Sequence, residues 1–366
     1  MAVMPRVRRP GPVPSGAAPV GARAAGLIAI MAAVALLVVA CGSGGSAGGD
    51  ARAPVAAGTA PSGAAGAPSP SAATPSSPPA AASSGLTAKP GARAAGDRKV
   101  LVVVEENKAY EDIIGSADAP YLNDLARRFG TATAYDAGYP AKCPSLAAYV
   151  ILTSGDDHGI CDDDPPSKHP ISGDNLFRQV AASGRQWRVY AQSMPQPCAA
   201  ETVGSYLVKH NPATYYTSER TRCASWDVPL GSPEGGTLKD DVASGLPAVS
   251  FVIPDACSDM HGGHGCPDDR TLIRKGDTWL GRWIPVIMSG PDYREGKLVV
   301  IVTWDESSSQ DHNHIPTLII SPTTTHIQDA TPQTHCTLLR TMDDLLALPP
   351  RGCAVTATPA TTRFRL

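Results

Sequence analysis

The stretch that most restricts the fold is Leu298 to Val302, an unbroken apolar, largely β-branched run that continues through Thr303 and Trp304 and stops on Asp305 and Glu306. A run with no polar residue on either alternating face reads as a strand buried on both sides, and such strands belong to parallel sheets covered by helices. A second run, Lys99 to Val104, ends the same way on Glu105, Glu106 and Asn107. In α/β sheets, ligands sit beyond the carboxyl ends of the strands. Two acidic strand ends therefore predict one divalent metal ion between them. Glu106, Asn107, Asp305 and Glu306 would be its oxygen ligands, a set that suits Mg, Ca, Mn or Zn. The plainer alternative for each end is a solvated loop carboxylate.

Only part of the 366-residue chain has the pattern of a folded domain. Residues 1–40 begin with Arg6, Arg8 and Arg9 and continue into an apolar run from Ala24 to Ala40, about 17 residues long. Small residues then precede Cys41. This is the pattern of a lipoprotein signal peptide cleaved before a lipidated Cys41, which places the chain in the cell envelope, anchored on the outer side of the cytoplasmic membrane. A retained membrane helix is the alternative. Residues 41–96 are mostly Ala, Gly, Pro, Ser and Thr, a composition that cannot bury enough apolar area to order itself, so a disordered tether is expected. Residues 97–353 suit one α/β domain of roughly 250 residues, and residues 354–366, rich in Thr and Ala, read as a loose tail.

The net charge of −3 and the lack of a basic patch with interleaved aromatics argue against a nucleic-acid partner. Nine cysteines less Cys41 leave eight, an even number in a chain read as exported, and so a disulfide framework. Pairing of neighbours, Cys143–Cys161, Cys198–Cys223, Cys257–Cys266 and Cys336–Cys353, closes the shortest loops. A structural zinc site is the rival, without a CxxC pair in its favour.

Strand signals fall at Lys99–Val104, Trp187–Ala191, Ala248–Ile253, Leu298–Thr303 and Thr317–Ser321. Helical signals fall at Tyr121–Arg128, Asn175–Ser183, Thr278–Met288 and His335–Leu346. Their alternation predicts a largely parallel sheet with helices on both faces. Met194–Gly236 has no clear period and reads as a loop-rich cap beside the site.

In Cys143-Pro144-Ser145 through Ser154-Gly155, Pro suits a helix start and Gly a helix end. Ser145 then lies at a helix N-terminus, where free N–H groups and the dipole favour an anion. Its residue-level alternatives are an activated nucleophile and a simple cap. Asp255 to His264 follows the Ala248–Ile253 strand, so His261 is placed either to protonate a leaving group or to bind phosphate; His264 reads as an exposed loop histidine rather than a second ligand. Of Asp311, His312 and His314, His314 is expected to face the site. The turn Lys209-His210-Asn211-Pro212 is suited either to clamp a phosphate or to be an ordinary surface turn.

Together these motifs resemble the bacterial phosphoesterase family that includes acid phosphatases and phospholipases C, within the alkaline-phosphatase-like superfamily. The resemblance spans about residues 99 to 350 and rests on Glu106-Asn107, on Pro144-Ser145 with Tyr149 and Ser154-Gly155, on Lys209 to Pro212, on Asp255 with Asp259-Met260-His261 and Gly276 to Leu280, and on Thr303 to Glu306. It implies an alkaline-phosphatase-like three-layer sandwich with Ser145 as nucleophile. It also implies Glu106, Asn107, Asp305 and Glu306 as metal ligands, with His210, Asp259 and His261 around the phosphate. One departure stands out: the family pattern carries Pro-Asn before the Tyr, where this chain has Ala147-Ala148, which implies one phosphate contact fewer. A phosphomonoesterase of the acid phosphatase type is the leading reading, acting on a small-molecule or lipid phosphate ester. A phospholipase C-like phosphodiesterase and a non-catalytic anion-binding surface lipoprotein are the alternatives. The Cys/Ser-x-Pro-x-Arg pattern of sulfatases is absent. Substrate, metal identity and oligomeric state stay open at this level.

Overall fold

The computed structural model describes residues 97–139, 142–266, 271–308 and 312–366. The expected signal peptide and tether, with Cys41, and also Asp311, lie outside the described residues. The elements, in chain order, are β1 (Lys99–Glu105), α1 (Tyr110–Ile113), α2 (Pro120–Arg128), β2 (Gly130–Ala132), α3 (Leu146–Ser154), α4 (Leu176–Ala182), β3 (Trp187–Ala191), α5 (Arg220–Trp226), β4 (Asp227–Pro229), α6 (Thr237–Ser244), β5 (Val249–Ile253), α7 (Leu272–Ser289), α8 (Pro291–Arg294), β6 (Leu298–Trp304), β7 (Thr317–Ile320), β8 (Ile327–Asp329) and α9 (His335–Leu345). Among the described residues, no helix is long and apolar enough to cross a membrane.

The strands form an 8-stranded sheet in the order β4-β3-β5-β1-β6-β7-β2-β8. From β4 to β6 every pairing is parallel; β7 runs antiparallel to β6 and β2. The fold is thus α/β with a mostly parallel sheet, as the apolar runs required. β1 and β6 pair at its centre in the register Lys99↔Leu298 through Glu105↔Trp304, and apart from Lys99 both are wholly buried. Each Val, Ile or Leu buried there contributes about 1.5–3 kcal/mol relative to exposure. Helices α2, α6, α7 and α8 pack among themselves, as do α3, α4 and α9, which gives two separate helical groups beside the sheet. That shared register brings the two acidic strand ends to the same edge.

Three expectations change. Met194–Gly236 is not only a loop-rich cap: its last part forms α5 and then β4, which extends the sheet's edge, and Tyr206, Tyr215 and Tyr216 are buried within it. The tail after Cys353 is not loose. Phe364 is fully buried, its carbonyl accepts the Thr324 hydroxyl at 2.6 Å, and the Arg363 guanidinium donates to Asp329 at 2.8 Å. Ala354 and Ala360 are buried with it, so the segment is held by several contacts together. The helix expected at Thr278–Met288 begins earlier, at Leu272.

The four disulfides are Cys143–Cys161, Cys198–Cys223, Cys257–Cys266 and Cys336–Cys353, the neighbour pairing.

Candidate active site

At the carboxyl edge of β1 and β6 the backbone and the side chains interlock. Asp305 N–H donates to the Glu105 carbonyl at 3.1 Å, continuing the ladder one residue past the strands. Asn107 adopts φ +42, a left-handed conformation that Asn tolerates better than most residues. It thereby turns its N–H to Asp305 Oδ1 at 3.1 Å and its side-chain amide to Glu306 Oε1 at 3.1 Å. One residue thus ties the two strand ends together.

Ser145 precedes α3 and is 2% exposed. Its side chain makes no capping bond to the helix. The hydroxyl points into the acidic cluster instead, 3.0 Å from Glu106 Oε2 and 3.4 Å from Glu306 Oε1. Capping falls to Asp163, whose Oδ1 accepts Leu146 N–H at 3.1 Å. Four residues after Ser145, Tyr149 lies on the same helix face and donates to Glu106 Oε1 at 2.8 Å. Tyr139 donates to Glu306 Oε2 at 2.9 Å.

His210 stacks on Tyr149, ring centroids 5.1 Å apart. Its Nε2 is 3.0 Å from Glu106 Oε1 but out of hydrogen-bond alignment, and its Nδ1 is 3.9 Å from Asp259 Oδ2. The turn carrying it is fixed from behind by Asn211, whose amide donates at 2.9 Å to both oxygens of the buried Asp227. Lys209 donates to Asp163 Oδ2 at 2.6 Å. Burial would lower the Lys209 pKa, but Glu106 and Asp163 raise it further, so the ammonium stays charged.

The electrostatics are a conflict of like charges. Burial pushes Glu106 up, yet His210 and Lys209 outweigh it and hold this carboxyl well below its usual range. Asp305 is pushed well up by burial and then by Glu106 and Glu306. Glu306 rises to about 7 from burial and from Glu106. Asp259 rises through burial and Glu106. Asp305 Oδ2, Asn107 Oδ1 and Asp259 Oδ2 are buried without a hydrogen-bond partner. Mutually repelling carboxylates with orphaned oxygens are a donor set that fits a hard divalent cation.

The loop 255–261 reaches the cluster through its backbone. Glu106 N–H donates to the Asp259 carbonyl at 2.9 Å, and Asp259 Oδ1 accepts His261 N–H at 2.8 Å. The His261 side chain is exposed, with Nδ1 3.2 Å from the Gly262 carbonyl. His264 is exposed as well. His314 is turned elsewhere: its ring stacks on Tyr110 at 4.6 Å and Nε2 lies 3.1 Å from the Thr133 carbonyl. Lys209, His210, Ser145, Asp259 and the four strand-end residues therefore converge, His261 borders them, and His314 is engaged by a different loop.

Residues outside the expected ligand and nucleophile set also shape the site. Gly276 leaves room for the loop: a Cβ there would lie 2.4 Å from Met260 Cγ and 2.9 Å from the Ser258 carbonyl. Its neighbour Asp277 accepts the Tyr121 and Leu122 N–H groups at the start of α2, at 3.1 and 2.8 Å. His335 is fully buried, with Nε2 2.7 Å from the Asp305 carbonyl and Nδ1 3.0 Å from the Tyr135 hydroxyl. A carbonyl only accepts, so Nε2 carries the proton and Nδ1 accepts from Tyr135. Burial lowers the His335 pKa to about 4, so the ring is neutral.

Residues 116–349 match the phosphoesterase family. The chain belongs to the phosphoesterase family. It is a hydrolase of phosphoric esters. A phosphatidylinositol-3-phosphatase of Mycobacterium tuberculosis (strain ATCC 25618 / H37Rv) is 30% identical over 273 residues, 72% of this chain and 81% of that protein. Among solved structures, a protein in the alkaline phosphatase superfamily from Vibrio parahaemolyticus superposes with a TM-score of 0.49 at 14% identity, covering 72% of this chain and 69% of the other. The phosphonate monoester hydrolase of Agrobacterium radiobacter gives 0.44 at 15%, covering 72% and 78%.

Proposed function

We propose that this phosphoesterase is an exported, metal-dependent phosphomonoesterase, anchored to the membrane through a lipid on Cys41, that uses Ser145 as its nucleophile. The observation that carries the reading is the Ser145 hydroxyl: buried at a helix N-terminus, it serves Glu106 rather than its own helix. Glu106, Asn107, Asp305 and Glu306 would hold the cation, which when bound supplies the positive charge that favours ionisation of the serine hydroxyl. Glu106 accepts the hydroxyl hydrogen and orients an oxygen lone pair away from the carboxylates. Attack on a phosphate ester then places the transferred group at the amino end of α3, where the N–H groups and the Lys209 ammonium face its charge. His261, exposed at the rim, would donate a proton to the departing alcohol, and water would then hydrolyse the phosphoserine. Asp259 and His210 line the inner wall.

The relative at 30% identity is named for removing a phosphate from a lipid headgroup. Together with the expected lipid anchor, that name favours a phosphomonoester presented at a membrane surface over a phospholipase C-like diester cleavage. Ser145→Ala should lower turnover of an aryl phosphate by about a thousandfold or more. A chelator should abolish wild-type turnover, with recovery on adding back a divalent ion. Wild-type-like turnover in Ser145→Ala would remove Ser145 from this role. Release of diacylglycerol rather than inorganic phosphate from a phosphoinositide would favour the diesterase.

A further inference from the structure

Asp163 occupies the position that the proposed chemistry reserves for phosphate. Its Oδ1 takes the Leu146 N–H, the amide next to Ser145 at the amino end of α3, and its Oδ2 takes the Lys209 ammonium at 2.6 Å. A helix N–H paired with a lysine is a recognition set for one phosphate oxygen. The carboxylate is aimed there by its loop. Cys161 is bonded to Cys143, two residues before Ser145, which holds the loop against the start of the helix. Asp162, the preceding residue, turns to the opposite side, where its Oδ1 is 2.5 Å from His169 Nε2 and also accepts Asp164 N–H at 2.9 Å. The Asp163 side chain keeps 29% of its accessibility and Lys209 18%, so the pair lies at the site's wall with a route to solvent.

We infer that Asp163 is a resident anion that an incoming phosphate must displace, and so sets how tightly the site holds its substrate and its phosphate product. The inference rests on the reading of Ser145 as the phosphate-accepting residue. A dianionic phosphomonoester brings more charge and more acceptor oxygens than one carboxylate, so it can take over both donors, while weaker anions are kept out. Displacement also explains how the enzyme escapes its product: when phosphate leaves, Asp163 returns to Leu146 and Lys209, and neither donor is left unpaired.

An ordinary helix cap would hold Leu146 N–H in the same way, and Asp163→Asn separates the two roles. Asn caps a helix about as well as Asp but carries no charge to compete with phosphate. The expected result is a fall of roughly tenfold in both KM for an aryl phosphate and Ki for inorganic phosphate, with an unchanged melting temperature. Asp163→Ser, a second cap-forming variant without charge, should move both constants the same way. An unchanged or raised KM and Ki in folded variants would overturn the inference and leave Asp163 as a cap. If the wild-type protein hydrolyses no phosphate ester, the Ser145 reading fails instead. Calorimetric titration of inorganic phosphate into wild type and Asp163→Asn then decides the Asp163 inference alone. Tighter binding by the variant supports it; equal, weaker or no binding overturns it.

Discussion

The two ends of α3 are built on opposite principles. At the amino end, Ser145 faces buried carboxylates of like charge, and oxygens of Asp305 and Asn107 have no hydrogen-bond partner. At the carboxyl end everything is matched. Gly155 takes the left-handed conformation that closes the helix, its N–H bonds the Ile151 carbonyl at 2.8 Å, and its carbonyl accepts Cys353 N–H at 2.8 Å. Gly352 packs against it so closely that a Cβ would lie 2.3 Å from the Gly155 carbonyl oxygen. The Cys336–Cys353 disulfide then joins this contact to α9, which starts at His335, the residue bonded to the Asp305 carbonyl. The quiet end is therefore braced to the strand that bears the acidic cluster. A site can keep unfavourable charge at the place of chemistry when the elements carrying it are locked elsewhere.

That contrast can be broken at either end. The largest effect is expected from Asp305→Asn, which should reduce turnover by about a thousandfold or more. In chelator-treated protein at neutral pH the same change should raise the melting temperature, because a buried carboxyl whose ionisation the fold disfavours is replaced by a neutral amide. A lowered melting temperature under those conditions would contradict the picture of a strained amino end. Gly352→Ala attacks the braced end: its φ of +48 and the clash with Gly155 should cost about 2–4 kcal/mol in a denaturant titration. An unaffected midpoint would show that the brace is not tight. Tyr149→Phe should cost about 1–3 kcal/mol or less in stability, since Glu106 Oε1 loses a donor, with turnover lowered by roughly tenfold. Turnover equal to wild type would mean that Tyr149 does not help to hold Glu106 in place.

An effect read in pH rather than in turnover lies behind the site. Burial raises the Asp227 carboxyl to about 8, against about 3.9 in an unfolded chain. Because the folded value is the higher one, this group favours the folded state fully below about pH 4, and that contribution is lost as pH rises towards 8. Asp227→Asn should flatten this part of the stability curve while keeping the Asn211 contact in place. An identical pH dependence in the variant would assign it to other groups.

How much of this was legible follows from what each signal depends on. β1, β5 and β6 announce themselves because strands buried on both faces must be apolar throughout, and their acidic ends follow directly from the chain. Ser145 was placed at a helix start by Pro144 and Gly155, but composition could not say whether its hydroxyl turned to the helix or to Glu106; that depends on Asp163 taking the cap from a residue distant in sequence. Asp163 itself sits in the run Asp162-Asp163-Asp164, which reads as solvated charge; its two partners, Leu146 N–H and Lys209, come from other parts of the chain. β2, β4 and β8 are three residues each, too short for alternation to register. His335 opens an amphipathic helix and gives no sign that it will reach a strand end. His314 was expected at the site because it precedes β7, yet the chain turns there so that its ring meets Tyr110.

The most direct test of the central claim is to catch the phosphoryl group on the protein. Native enzyme mixed with a radiolabelled aryl phosphate and quenched in acid during turnover should yield a labelled peptide containing Ser145, and no label in Ser145→Ala. Label on a different residue, or sustained hydrolysis by Ser145→Ala, would contradict the account.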